Sequence, residues 1–341
     1  MESIISNHTH EESSLIESLD QIGERELLNR LKKFMPDGQI DDDTAQLNPI
    51  GKEILVNTDV LVEGVHFSNK TTSAEDVGWR SIATNLSDLA ASGVDQILGV
   101  TVGLIAPPST KWAWVNGVYE GINKALNKFG GKLIGGDCSC GNQKILAITA
   151  IGTVGPLRLH RSNALAGDFL VASGPHGLSR LGLALLLDDP LVSKKEINTI
   201  LQSQAIQIHQ RPIPPLKALQ ALLTCKPKNI PWRAAGTDSS DGLLEALQNL
   251  CSSSNCQAVI DPKNLPRETN WPLGSHWDNW CLHGGEDFEL VLSLPPSWAK
   301  ALVNILPSSQ IIGIMRTGSP KILWKNGKEV EKKHLLEFRH F

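Results

Sequence analysis

A set of aspartates shares one kind of surroundings in the sequence, the end of an apolar strand or helix beside small residues. The set consists of Asp42, Asp43, Asp59, Asp88, Asp137, Asp238 and Asp241. A carboxylate in such a position loses hydration, which is costly unless a partner neutralises its charge. Because Mg²⁺ takes oxygen ligands and bridges protein carboxylates to substrate phosphates, the recurrence predicts a magnesium site. Any one of these aspartates alone would be better interpreted as a helix cap or a turn residue.

The run from Asp41 to Asp43 crowds three carboxylates together, and taken alone it is typical of a solvated loop. Glycines in the stretches LIGGD and GPHG would let backbone amides approach an anion closely. The sequence has no GxxxxGK[ST] motif, no GxGxxG at the start of a helix and no HRD and DFG pair, which disfavours the familiar nucleotide-binding folds. A nucleotide would therefore be held mainly through metal ions.

Composition narrows the class of protein. The chain has 341 residues, 41% of them hydrophobic and 20% charged, which favours a compact globular protein of about two domains. A net charge of −4 argues against nucleic acid or an anionic membrane surface as a partner. The first residues lack a signal sequence and no apolar run approaches about 18 residues, so we expect a cytoplasmic protein. The six cysteines form no CxxC pair, which disfavours a zinc site.

Hydrophobic periodicity predicts the elements that must position the aspartates. Strands are expected over 53–67, 96–108, 131–137 and 143–155. One helix is expected from residue 74 to Gly93 and a second over 110–130. On the first helix a polar stripe recurs at spacings of three or four, formed by Ser81, Asn85, Asp88 and Ser92. We therefore expect the Asp88 side chain to be half-buried.

The alternation of strands and helices restarts near residue 155. A strand is predicted within 166–177, with a helix over 178–187 directly after it, and another helix is expected after the prolines near residue 214. The sequence therefore predicts an acidic N-terminal arm over 1–26, an N-terminal domain over 27–155 and a C-terminal domain over 156–341.

Several motifs together resemble one enzyme family. DDDTAQL, NTDVLVEGVHF, NLSDLAASG, LIGGD, RSNALAGD, DSSDGLLEAL and GGEDFELVLSLP occur in the order seen in thiamine-monophosphate kinases, within the aminoimidazole ribonucleotide synthetase-like superfamily. The resemblance implies a two-domain α/β fold of the α+β type, with an N-terminal sheet or barrel domain that dimerises and a C-terminal α/β sandwich. It also implies transfer of the γ-phosphate of ATP to thiamine monophosphate, with several Mg²⁺ ions as cofactors.

The resemblance also implies roles for individual residues. The magnesium ligands would be Asp42, Asp43, Thr58, Asp59, Asp88, Asp137, Asp238 and Asp241. The ATP contacts would be Tyr119, Gly136, Asp137, Arg161 and Ser240. The contacts to thiamine monophosphate would be His66, Glu286 and Phe338. Judged without the family, Arg161 would be a surface residue, Glu286 a turn residue, and His66, Tyr119 and Phe338 packing residues.

Three positions depart from the family pattern, because Asp41 stands for a glycine, Asn57 for a serine and Cys138 for a threonine. Asn57 keeps an oxygen that a metal or water could use. Two alternative functions stay open. One is an ATP-dependent synthetase of the same superfamily, such as a selenophosphate or aminoimidazole ribonucleotide synthetase, although the first cysteine of this chain is only Cys138. The other is a non-catalytic, metal-dependent nucleotide-binding dimer.

Overall fold

The computed structural model of the protein describes residues 45–47 and 53–331, and the described strands form two sheets. The first sheet has the strand order β1-β2-β5-β3-β4. Its strands are β1 (Ala45–Leu47), β2 (Ile54–Val62), β3 (Val94–Ala106), β4 (Leu133–Cys140) and β5 (Ile145–Val154). Only the β3–β4 pair is parallel among them. Two helices follow β2 and β3, namely α1 (Ala74–Ala91) and α2 (Trp112–Phe129).

The second sheet has the strand order β11-β8-β10-β6-β9-β7. Its strands are β6 (Phe169–Ala172), β7 (Ala235–Asp238), β8 (Gln257–Ile260), β9 (Leu290–Leu294), β10 (Gln310–Arg316) and β11 (Ile322–Trp324). The helices of this part are α3 (Leu178–Leu187), α4 (Thr199–Gln210), α5 (Leu216–Thr224), α6 (Leu243–Ser254), α7 (Ser275–His283) and α8 (Pro296–Ile305). The predicted mixed α/β class is confirmed.

Helix α1 has the boundaries that its sequence predicts. Ser73 caps the N-terminus, where its Oγ accepts a hydrogen bond from the Asp76 backbone N–H at 3.2 Å. Gly93 lies just beyond the C-terminus with φ of +86°, a left-handed conformation that suits glycine. The apolar side of the helix is fully buried, and the Asp88 side chain is half-buried, as predicted.

Helices α1 and α2 pack with their backbones in close contact. A Cβ atom added at Gly78 would lie 1.9 Å from the Val118 carbonyl oxygen, and one added at Gly121 would lie 1.9 Å from the Glu75 carbonyl oxygen. Only glycine permits this approach at either position. The two helices therefore cover the first sheet as a tightly joined pair.

The two faces of the first sheet differ. On β2 the side chains of Leu55, Asn57 and Leu61 are buried beneath the helices, with exposures of 0%, 6% and 3%. The intervening residues Thr58 and Val60 are exposed, because side chains alternate between the faces of a strand. The edge strand β4 is exposed along its whole length. In the part of the chain that the structure describes, no helix is long and apolar enough to cross a membrane.

Candidate functional site

The polar stripe of α1 lies against the polar residues of β2. The Asn57 Nδ2 group donates hydrogen bonds to Asn85 Oδ1 at 3.1 Å and to Asp88 Oδ2 at 2.8 Å. The backbone N–H of Asp59 donates to the same Asn85 oxygen at 3.3 Å. The half-buried Asp88 carboxylate therefore has Asn57 as a hydrogen-bond partner. Asn57, Asp59 and Asp88 thus belong to one polar cluster.

The end of β7 reaches the neighbouring face of α1. Ser87 Oγ donates a hydrogen bond to Asp238 Oδ2 at 2.7 Å, and Ser240 Oγ donates to Asp238 Oδ1 at 3.0 Å. The Asp238 side chain is buried, with an exposure of 4%, whereas Asp241 is exposed in the turn before α6. Since Ser87 and Asp88 are adjacent in α1, the helix brings Asp238 of the second sheet to the polar cluster of the first.

Arg161 lies beside the same strand end. Its Nε donates a hydrogen bond to Thr237 Oγ1 at 3.2 Å, one residue before Asp238. The two predicted ATP contacts Arg161 and Ser240 are therefore both close to the end of β7. Arg161 is hydrogen-bonded to Thr237, and Ser240 is hydrogen-bonded to Asp238.

Glu286 lies on the segment between α7 and β9 and forms an ion pair with Arg80 of α1. Burial raises the pKa of Glu286, but the charge and hydrogen bond of Arg80 outweigh it, so the pKa lies below its ordinary value. His66 lies within electrostatic range of Glu286 and contributes a smaller lowering of this pKa. Val62 N donates to His66 Nδ1 at 3.0 Å and so orients the ring. The structure thus brings these two predicted substrate contacts together.

A separate open pocket of about 480 Å³ lies at the edge of the first sheet. Its lining consists of Tyr119, Leu133, Gly135, Gly136, Asp137 and Cys138. A Cβ atom at Gly136 would lie 2.2 Å from the Val102 carbonyl oxygen, so this position requires glycine. Burial, together with contact to Cys138, raises the pKa of Tyr119. Three predicted ATP contacts, Tyr119, Gly136 and Asp137, therefore share one pocket.

This pocket is distant from the polar cluster within one chain. Asp59 pairs with Ile148, Ile148 with Val102, and Val102 with Gly136. Three strand spacings separate Asp59 from Gly136, about 14 Å at the usual spacing between strands.

Thr58 is not in the cluster either. It lies on the opposite face of β2 from Asn57, where its hydroxyl is 2.8 Å from that of Thr149. The predicted residues Asp42, Asp43 and Phe338 lie outside the described residues.

The donor chemistry at the polar cluster suits a hard cation. Among residues 45–47 and 53–331, no three His, Cys, Asp or Glu side chains are arranged so that they could hold a metal ion. However, Asn57 Oδ1 is buried beside Asp88 and has no hydrogen-bond partner. An oxygen acceptor without a partner next to carboxylates matches the ligand preference of Mg²⁺. The residues present therefore fit this ion.

Two carboxylates near the site were not predicted from the sequence as site residues. Asp287 accepts hydrogen bonds from the backbone N–H groups of Gly177 at 2.6 Å and Ser179 at 3.0 Å, and so caps α3. Glu289 accepts a hydrogen bond from the Ser173 hydroxyl. Burial raises the pKa of each carboxyl to about 7. Acidic residues within the apolar stretch GGEDFELVL were the signal that could have indicated them.

Comparison with known proteins gives a consistent picture. A family model described as AIR synthase related protein, N-terminal domain, matches residues 41–154. The thiamine-monophosphate kinase of Prochlorococcus marinus is 59% identical over 97% of this chain and 99% of that protein. The thiamine-monophosphate kinase of Synechococcus elongatus is 43% identical over 87% of this chain and 89% of that protein. A solved structure described as "AaThiL complexed with AMPPCP and TMP" has a TM-score of 0.82 at 28% identity, covering 95% of this chain and 99% of that one.

Proposed function

The chain belongs to the thiamine-monophosphate kinase family, and we propose that it transfers the γ-phosphate of ATP to thiamine monophosphate, giving thiamine diphosphate and ADP. One observation carries this proposal: two carboxylates meet at neighbouring positions of α1. Asp88 is hydrogen-bonded there to Asn57 of β2, and Asp238, at the end of β7, is hydrogen-bonded to Ser87. The acceptor is itself a phosphate, so the main obstacle to the reaction is repulsion between two polyanions rather than proton removal.

Magnesium would be held by the oxygen donors that gather there. Asp59, Asp88 and Asp238 are the described carboxylates of this region, and Asn57 Oδ1 adds a neutral oxygen. The family pattern also implies Asp42, Asp43, Asp137 and Asp241 as ligands, whereas Thr58, which it implies as well, lies on the opposite face of β2 and does not reach this cluster within one chain. When bound, Mg²⁺ supplies positive charge that screens the phosphates and stabilises the transferring group. The hydrogen bonds from Asn57 and Ser87 keep the Asp88 and Asp238 carboxylates in fixed orientations for this task.

Nucleotide and acceptor would bind on different sides of this carboxylate region. Arg161 and Ser240, at the end of β7, are placed to donate hydrogen bonds to ATP phosphates. Glu286 and His66 are the contacts that we assign to the thiamine part of the acceptor, since a carboxylate suits its amino group and its cationic ring. Phe338 would stack on thiamine, as the family pattern implies.

We assign the working form as a homodimer that pairs through the N-terminal domain. Two observations support this assignment. The first sheet carries exposed apolar side chains, Val60, Leu133 and Ile134, with exposures of 46%, 44% and 55%, and β4 has no strand on its outer side among the described residues. In addition, Asp137 is too far from Asp59 to share a metal with it inside one chain, and a second copy could supply it. We also keep the proposed domain boundary at residue 155, which is supported by the last strand of the first sheet ending at Val154 and the first strand of the second sheet beginning at Phe169.

The decisive experiment incubates the purified protein with ATP, Mg²⁺ and thiamine monophosphate and follows products by chromatography. We expect thiamine diphosphate and ADP in equal amounts, and none without Mg²⁺. ATP binding without thiamine diphosphate would instead favour the non-catalytic binder. Consumption of ATP only in the presence of a different substrate would favour a synthetase of the superfamily.

A further inference from the structure

Arg80 is a buried charge on the face of α1 that points toward the second sheet. Its side chain is only 1% exposed. One terminal nitrogen forms the ion pair with Glu286, and the other donates a hydrogen bond to the backbone carbonyl of His209 in α4. A guanidinium in this position is tolerated only because both partners are present. Arg80 and Glu286 therefore fix each other.

Glu286 is constrained at its backbone as well. Its φ is +65°, and Phe288 has φ of +52°, so the segment holds two residues in the left-handed region that side chains disfavour. The Glu286 backbone N–H donates to the Ser240 carbonyl at 2.6 Å. The Glu286 side chain is 34% exposed, and so part of it remains accessible to a ligand. A strained, accessible carboxylate held at both ends is typical of a binding group rather than of a structural ion pair.

His209, which lies beside Glu286, does not provide a positive charge to it. His209 Nδ1 lies 3.8 Å from Glu286 Oε2 and 3.1 Å from the Ser179 hydroxyl. Burial, reinforced by the charge of Arg80, lowers the pKa of His209 to about 4, so the ring is neutral near pH 7. Arg80 is thus the positive group in contact with Glu286.

We propose that Arg80 is a positioning residue for the acceptor site, which holds the Glu286 carboxylate ionised and in one orientation toward thiamine monophosphate. This inference rests on the proposed function, because Glu286 is assigned there to the acceptor. Arg80 itself lies behind Glu286 and is too buried to meet the substrate. Its effect should therefore appear in acceptor binding and not in ATP binding.

Arg211 provides a matched control. It also connects α1 to the end of α4, through ion pairs with Glu75 and Asp76, the first of them 2.6 Å long. Both partners lie in the first turn of α1, whereas Glu286 is paired with Arg80. Arg211→Met should therefore remove a similar link between the helices while leaving the acceptor carboxylate untouched.

The test compares Arg80→Met, Arg80→Lys, Glu286→Gln and Arg211→Met in steady-state assays with full-length protein, alongside melting temperatures. Arg80→Met and Glu286→Gln should each raise KM for thiamine monophosphate about tenfold or more, with KM for ATP within about twofold, as expected for loss of one charge-assisted contact. Arg80→Lys should raise it only about threefold, because an ammonium keeps the charge without the fork geometry. Arg211→Met should lower the melting temperature and leave KM for the acceptor unchanged.

The outcomes separate the two proposals. An unchanged acceptor KM in Arg80→Met, with a melting temperature lowered as in Arg211→Met, would reduce Arg80 to a structural residue. If Arg80→Met does not fold, an unchanged acceptor KM in Arg80→Lys, with a raised KM in Glu286→Gln, overturns the positioning role equally. If the wild-type protein forms no thiamine diphosphate in the assay, the proposed function is overturned, and the role of Arg80 is overturned with it.

Discussion

Helix α1 and the edge strand β4 both carry predicted site aspartates, and the two regions differ in how much of their surroundings the described part of one chain supplies. Asp88, on α1, is half-buried and hydrogen-bonded to Asn57, and Asp238 accepts a hydrogen bond from Ser87, the preceding residue of the same helix. Asp137, on the edge strand β4, is exposed in an open pocket. The first region is organised before any ligand binds. The second has the residues but no enclosing wall among the described parts of the chain.

The change with the largest expected effect is Asp88→Asn in the organised region. Loss of a carboxylate from the proposed metal site should reduce kcat/KM by at least about 10³-fold. The protein without Mg²⁺ should keep its melting temperature, because an asparagine oxygen can still accept the hydrogen bond from Asn57. Turnover assays and thermal melts with and without Mg²⁺ and ATP measure both quantities. Normal turnover with a wild-type magnesium shift would contradict a ligand role for Asp88.

A mixed-dimer experiment tests whether the two regions meet across subunits. Asp88→Asn and Asp137→Asn proteins should each be nearly inactive alone. If Asp137 serves the site of the other copy, subunit exchange between them should restore about a quarter of wild-type activity, because half of the dimers regain one intact site. Differently tagged subunits and tandem purification identify the mixed species. Activity that stays at the level of the single variants would place Asp137 and Asp88 in one chain's site or in unrelated roles.

The smallest effect concerns stability against pH. Glu289 has a folded pKa of about 7, against 4.5 for an ordinary glutamate, because burial disfavours its charge. At a pH between these two pKa values, Glu289 is protonated in the folded state and ionised in the unfolded state. This contribution to stability is therefore complete below about pH 4.5 and is lost as pH rises through about 7.

Glu289→Gln should accordingly gain stability relative to wild type by on the order of 1 kcal/mol between about pH 5 and about pH 8, measured by urea unfolding. Asp137→Asn is the control from the exposed region, where replacement of a surface side chain should change stability by no more than about 0.5 kcal/mol. Parallel pH profiles for wild type and Glu289→Gln would show that Glu289 is not desolvated in the folded protein.

The organised region was largely predictable from the sequence. Helical periodicity alone places Ser81, Asn85 and Asp88 on one polar face, and the structure confirms this stripe by the contacts that Asn57 makes to it. The α/β class and the end of α1 at Gly93 were likewise predictable, because local residue types determine them. These features depend on residues near each other in the chain.

The remaining features depend on contacts between distant parts of the chain. The type of Asp137 suggested a site residue, but its separation from Asp59 follows from the strand order, which local periodicity does not contain. No local sequence pattern distinguishes Arg80, since its partners His209 and Glu286 lie far along the sequence. The charge pair became visible only once α1, α4 and the segment before β9 were in contact.

The glycine contacts between α1 and α2 bear on how this family could evolve. With carbonyl oxygens 1.9 Å from where a side chain would begin at Gly78 and Gly121, the helix pair tolerates almost no variation along that seam. Mutations that alter acceptor preference must therefore accumulate elsewhere. The segment around Glu286 is similarly constrained, because a Cβ atom added at Gly285 would lie 2.6 Å from the Ser240 carbonyl oxygen, so libraries for directed evolution should leave both stretches constant.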